Sequence, residues 1–253
     1  MVPVIFMHIQ KTAGTTLVNL LKRFYGEKNC MSHGDHLAGF AECANPETFF
    51  SKENILAAYQ HKKFISGHFG YSFCSAFMDG RYSFTLLRDP ADRILSLYYY
   101  WRSQPREGYH VYALAHDNSL KDFLLLGFER HGVMTHIWNA QMWQLAHGYC
   151  RADRKCLWTF KPEELQAMAL RNIKTFSFVG TVENFKNCRD EILNALGIAN
   201  PEDDPVDNAG PSRPDIDALD KSIRAILRKL TAFEQPIYDS IAAAGMIKNK
   251  SST

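Results

Sequence analysis

No stretch of this chain has the roughly 20 consecutive apolar residues that a bilayer-spanning helix needs. Charge of one sign is also missing: 29 Lys and Arg stand against 27 Asp and Glu, a net +2. Such balance gives no ground for a general nucleic-acid or membrane-binding surface, although a local basic cleft is compatible with it. Cysteine is sparse and scattered. Cys30, Cys43, Cys74, Cys150, Cys156 and Cys188 include no C-x-x-C pair, and in 253 residues they make no disulfide framework. Cys150 and Cys156 are near enough in a polar loop to pair in an oxidising compartment, but free thiols are expected. Met1 leads straight into an apolar run, without a basic segment or a small-residue cleavage site. The expectation is a soluble, cytoplasmic protein. Repeats and low-complexity tracts are absent, so residues 1–253 are expected to form a single domain. Also lacking is G-x-x-x-x-G-K-[ST], the phosphate loop of magnesium-dependent ATPases.

Apolar runs that alternate with helical stripes are present. "VPVIFMHI" (Val2 to Ile9) reads as a strand buried on both faces. Leu17, Leu20, Leu21 and Phe24 then fall on one helical stripe, with Gly26 as its stop. Further strands are expected in "KFISGHFGY" (Lys63 to Tyr71), "RYSFTLL" (Arg81 to Leu87) and "TFSFVGT" (Thr175 to Thr181). Helices are expected at Pro46–Gln60, after Asp89, at Leu120–Leu126, Val133–Ala146 and Pro162–Arg171, from Thr181 to Leu196, and over Ala218–Ala244 with a break near Pro236. Asn200 to Pro214, rich in proline, reads as a loop. The pattern is α/β, with a mostly parallel central sheet flanked by helices in three layers.

In such sheets ligands bind where strands hand over to helices. Two junctions carry the chemistry. The first is "HIQKTAGTT" (His8 to Thr16). A helix start presents unpaired N–H groups and the positive end of a dipole, which suits an anion. Gly14 lets the backbone approach closely, Thr15 and Thr16 add hydroxyls, and Lys11 adds a mobile charge. The plainer reading is an ordinary turn with a surface lysine. The second junction is "RDPADRILSLYYYWR", with Asp89 as N-cap and Pro90 as first helical residue. Arg88 ends the preceding strand. Arg93 and Ser96 share a helix face opposite Ile94, Leu97 and Trp101. An arginine fork with a hydroxyl suits a phosphate dianion; a solvated helix face is the plainer alternative.

Two separate anion sites call for a ligand phosphorylated at two positions. ATP has one polyphosphate tail, whereas 3′-phosphoadenosine 5′-phosphosulfate (PAPS) has a 5′ phosphosulfate and a separate 3′ phosphate. "HIQKTAGTT" closely resembles the 5′-phosphosulfate loop of the sulfotransferases, and "LLRDPADRILSLYYYWR" resembles their 3′-phosphate motif, with Arg88 and Ser96 at the family's spacing. The likeness is greatest to the heparan sulfate 6-O- and 2-O-sulfotransferases and their bacterial relatives. It continues through "FISGHFGY", "FSFVGTVENF", "PSRPDI" and "FEQPIYDSIAAAG".

The resemblance implies a P-loop-like fold, PAPS as co-substrate and no metal. It implies transfer of a sulfuryl group to an acceptor hydroxyl, with a carbohydrate or glycan as the expected acceptor. Donor-binding residues would be Gln10, Lys11, Thr12, Ala13, Gly14, Thr15, Thr16, Arg88, Ser96 and Arg213. His68 matches the histidine of the family's Gly-His segment and would act as base; Lys11 would stabilise charge on the leaving group. His8, ending the first strand, would orient the loop, and Gly180, Thr181 and Glu183 would border the nucleotide. A magnesium-dependent kinase or NTPase on a related fold, and a non-catalytic nucleotide-binding module, are the alternatives. Many relatives carry an arginine at the end of an N-x-Q-x-R stretch. Here "WNAQMW" has Asn139 and Gln141 but Trp143 in place of the arginine, which would suit a less anionic acceptor. Trp138, Trp143 and Tyr98–Tyr100 are read as core packing before acceptor platforms. Cys30, His33 and His36 have zinc-like spacing but no fourth ligand follows, so no metal site is expected.

Overall fold

A computed structural model describes residues 1–31, 57–129, 131–148, 157–200 and 212–249. Among these residues the chain forms one sheet of six strands: β1 (Val4–Met7), β2 (Cys30–Met31), β3 (Phe64–Gly67), β4 (Tyr82–Leu87), β5 (Phe178–Thr181) and β6 (Ile247–Lys248). Their spatial order is β2-β3-β1-β4-β5-β6. Pairing is parallel throughout except for β6, which runs antiparallel to β5.

The central strands are buried on both sides, as their continuous apolar runs require. Alternate residues face opposite layers. Val4, Phe6, Phe64, Phe84, Leu86 and Phe178 pack with α1 (Gly14–Tyr25) and α9 (Phe185–Leu196). Phe6 and Phe84 stack with centroids 4.4 Å apart across the β1–β4 pair. Ile5, Met7, Ile65, Leu87 and Val179 point the other way. There they meet α2 (Tyr71–Cys74), α7 (Ala140–Ala146), α8 (Pro162–Ile173) and α11 (Gln235–Ala244). A third apolar cluster, around Trp101 and Phe123, joins α3 (Pro90–Ser103), α4 (His110–Asp117), α5 (Leu120–Glu129), α6 (His131–Ile137) and α10 (Lys221–Leu230).

The chain starts in the middle of the sheet, builds β2 and β3 on one side of β1, then crosses to β4 on the other. The carboxyl ends of β1 and β4 therefore flank the point where strand order reverses, the ligand crevice of open α/β sheets. Three adjacent parallel strands, β3, β1 and β4, deliver His68, the Lys11 turn and Arg88 to this edge.

Several expectations are refined. The helix expected over Val133–Ala146 is two helices, α6 and α7, broken at Trp138–Asn139. Asn139 takes a left-handed φ of 42°, a conformation its short polar side chain tolerates better than most. The break near Pro236 is the interval between α10 and α11. Strand Lys63–Tyr71 ends at Gly67, and α2 follows. Of the Pro46–Gln60 helix, residues 57–59 are helical and the earlier part lies outside the described residues. His33, His36, Cys43, Cys150 and Cys156 also lie outside them, as does most of the Asn200–Pro214 loop. Cys74 and Cys188 are buried free thiols, and Cys30 is buried. No helix among the described residues is long and apolar enough to cross a membrane.

Candidate active site

The turn from Gln10 to Ala13 leaves β1 and opens α1. Lys11 and Ala13 adopt left-handed φ angles of 66° and 56°, each costing about 1–2 kcal/mol in a non-glycine residue. Left-handed residues alternating with right-handed ones are the backbone pattern from which anion nests are made. Ala13 is the N-cap of α1 and supplies no side-chain acceptor, and the first turn holds no acidic residue. The helix start is therefore electrically uncompensated by its own sequence. Thr12 is fully buried and its hydroxyl donates to the Ile9 carbonyl at 2.8 Å. It braces the turn from inside.

Packing alone also requires glycine at position 14. A Cβ there would clash with His8 Cδ2 and lie 2.8 Å from Phe6 Cζ. The glycine makes room for His8, which stacks on Phe6 with centroids 5.1 Å apart.

The second junction differs in kind. Asp89 caps α3, accepting from the Asp92 N–H at 2.9 Å, with Pro90 in the first turn, as expected. Glu183 Oε1 accepts from the Asp89 N–H at 3.0 Å. This helix start is satisfied internally, so the junction offers side chains rather than N–H groups. The face bearing Arg93 and Ser96 is not solvated: both are buried, and Arg93 sits against α6 and α7. Arg93 Nη2 donates to the His136 carbonyl at 2.7 Å.

Arg88 ties the two junctions together. Its Nη1 donates to the Lys11 carbonyl at 3.2 Å. Its Nε and Nη2 meet Asp92 Oδ2 at 2.7 and 2.6 Å. Arg213, from the segment after the loop, reaches the other oxygen of Asp92 at 2.6 Å. One carboxylate thus orients two guanidiniums beside Lys11 and offsets only one of their charges. Lys11 lies with its Nζ 4.0 Å over the Tyr100 ring. Burial, and then the nearby Arg88 charge, lower its pKa to about 8. Both effects favour giving up the proton unless an anion arrives.

His68 follows β3. Its Nδ1 lies 2.7 Å from the His8 carbonyl. A carbonyl only accepts, so this contact puts the proton on Nδ1 and leaves the lone pair on Nε2. Gln144 Nε2 donates to the carbonyls of His68 and Phe69, both at 3.2 Å. Two residues on, Gly70 lies against the Gly148 backbone so closely that a Cβ on either would meet the other's Cα. His68 is thereby held from three directions. It lines a small cavity of about 20 Å³ with Gln10, Arg93, Thr135, His136, Ala140 and Gln144. Gln10 Oε1 is 3.2 Å from His136 Nδ1. Burial, then Arg93 and His110, lower the His136 pKa to about 4, so that ring is neutral at ordinary pH.

Asn139 and Trp143 of the "WNAQMW" segment are structural. Asn139 Oδ1 accepts from the N–H groups of Phe233 and Glu234, at 2.8 and 3.0 Å. Trp143 is buried and stacks on His147 at 5.1 Å. Position 143 faces the core, so the arginine's replacement carries no information about an acceptor's charge. Tyr98 is likewise core. Gly180 is packed against Cys188 Sγ, and Thr181 is buried. Among the described residues no group of three His, Cys, Asp or Glu could hold a metal.

Sequence reasoning missed Asp92 as the hub of two arginines, and Gln144 and Tyr100 as supports for His68 and Lys11. No local motif marks the last two contacts, since their partners lie 76 and 89 residues away in the chain for Gln144–His68 and Lys11–Tyr100.

The α/β sheet thus carries a basic, glycine-bearing turn at its switch point, with a histidine beside it. The sequence profile of the sulfotransferase family matches residues 2–202. The chain belongs to the sulfotransferase family. No curated protein matches it.

Proposed function

We propose that the chain transfers a sulfuryl group from PAPS to an acceptor hydroxyl, with a carbohydrate or glycan as acceptor class, on a P-loop-like fold akin to that of the heparan sulfate 6-O- and 2-O-sulfotransferases. The observation that carries this reading is the hydrogen bond from Arg88 to the Lys11 carbonyl. It makes the two expected anion sites neighbours within one crevice.

The residues present fit a nucleotide phosphorylated at both ends. The uncapped start of α1, from Ala13 to Thr16, with Gln10 and Lys11, suits the 5′ group. Arg88, Ser96 and Arg213 suit the 3′ phosphate. When bound, PAPS supplies the activated sulfuryl group. Lys11 contributes positive charge where negative charge develops on the leaving oxygen. His68, its tautomer fixed by the His8 carbonyl, takes the acceptor proton at Nε2. Gln144 and the Gly70–Gly148 contact limit the freedom of that ring, so little ordering is left for the reaction itself.

A thermal-shift comparison tests the donor assignment. The product nucleotide PAP should stabilise the protein without magnesium, by about 2.7 kcal/mol at a hundred times its Kd. Stabilisation by Mg-ATP and none by PAP would instead support a kinase or NTPase. PAP binding without sulfate transfer to any of a panel of hydroxylated acceptors would support a non-catalytic module.

A further inference from the structure

We propose that Gln141 is a positioning residue for donor recognition: it fixes the Arg88 main chain, and through it the guanidinium, for the nucleotide's second anionic group. This inference rests on the PAPS reading above. Gln141 is buried, and its side-chain amide grips the peptide groups of Arg88 in both senses. Oε1 accepts from the Arg88 N–H at 3.0 Å, and Nε2 donates to the Arg88 carbonyl at 2.8 Å. Arg88 is the first residue past β4, where the ladder to β5 has ended at Leu87. Its backbone groups have lost their sheet partners there, and Gln141 replaces them. A side-chain amide with one donor and one acceptor is the natural partner for a residue with one of each.

The clamp is itself held. Glu234 Oε2 accepts from the N–H groups of Gln141 and Met142, at 2.7 and 3.3 Å, capping α7. Asn139 returns the favour by capping the approach to α11 at Phe233 and Glu234. The Asn139 N–H also donates to the Leu230 carbonyl at 2.7 Å. Thus the segment from Leu230 to Glu234, beyond the residues matched by the family profile, fixes α7, and α7 fixes Arg88.

The test is calorimetric binding of PAP and of 5′-AMP, which lacks the 3′ phosphate, to the full chain and to Gln141→Ala and Gln141→Met. Methionine keeps the side chain's length and volume while removing both hydrogen bonds. The unaltered chain should prefer PAP strongly. In the variants PAP affinity should fall by about ten- to a hundredfold, the value of a charge-assisted contact, with AMP affinity within twofold. A purely structural role would weaken both nucleotides together and leave their ratio unchanged. An unchanged ratio in whichever variant folds overturns the assignment of Gln141 while leaving the donor reading intact. An unaltered chain that binds AMP as tightly as PAP overturns the donor reading, and this inference with it.

Discussion

Lys11 offers the sharpest test of the site, because its proton is held loosely. Its pKa of about 8 lies below that of an ordinary lysine, near 10.4. A lysine with a lowered pKa loses its charge as pH rises through that lowered value. At pH 7 about ten in eleven molecules carry the charge; at pH 9 about one in eleven do. If the bound anion requires the charged form, the Kd for PAP rises about tenfold between these limits. The phosphates themselves, with a second pKa near 6, are ionised throughout that window, so the slope belongs to the protein. Binding must also take up protons. At pH 8.5 about three quarters of a proton should enter per PAP bound, measurable by calorimetry in buffers of different ionisation enthalpy. Lys11→Arg, charged across the whole range, should show neither the slope nor the uptake, whatever its absolute affinity. A Kd constant within twofold from pH 7 to pH 9, or an equal slope in Lys11→Arg, would refute the coupling between Lys11 and the anion.

Three further outcomes follow from the same geometry. His68→Gln should keep PAP affinity yet lower kcat by about 10²–10⁴, the usual worth of a positioned base; unchanged turnover would remove His68 from that role. Gly14→Ala should drive a methyl group into His8 and cost about 1–3 kcal/mol, seen as a lower Tm together with reduced turnover, since His8 holds His68; a Tm equal to that of the unaltered protein would contradict the packing. Burial raises the pKa of Glu234 to about 7 despite Arg93 and two N–H donors. The folded state then binds more protons than the unfolded one between about pH 4.5 and pH 7, so stability falls by up to about 3 kcal/mol as pH rises through that window. Glu234→Gln should flatten that loss in denaturant titrations at pH 5 and 7.5, and an identical decline in the variant would exclude Glu234 as its source.

The strands and their handover turns were legible because they combine two strong signals, a continuous apolar run and then a change of period. β1, β3, β4 and β5 carry both. β2 and β6 were not, since two residues of strand leave no periodicity to detect. α4 was also missed: it follows a polar turn and buries only Val111 and Ala115. The break between α6 and α7 is decided by partners rather than by local preference. Asn139 leaves the helical path because Phe233, Glu234 and Leu230 bond to it, and those lie more than 90 residues downstream. The candidate site divides in the same way. Lys11, Arg88 and His68 stand at visible junctions. Of the groups that aim them, Asp92 stands four residues from Arg88, a local spacing open to sequence reading; Gln144 and the Asn139–Glu234 pair depend on the tertiary fold and left no pattern in the sequence.

β6 has a consequence for shortened versions of the chain. It covers the outer side of β5 through Phe178 and Val179, and Lys248 is tethered to Glu191 at 2.6 Å. A chain cut at Gly245 would leave an apolar strand with a bare row of donors and acceptors, the kind of border on which other chains add themselves. Such a fragment should retain the crevice at the ends of β1 and β4 and yet become sticky, so that loss of solubility would precede loss of chemistry.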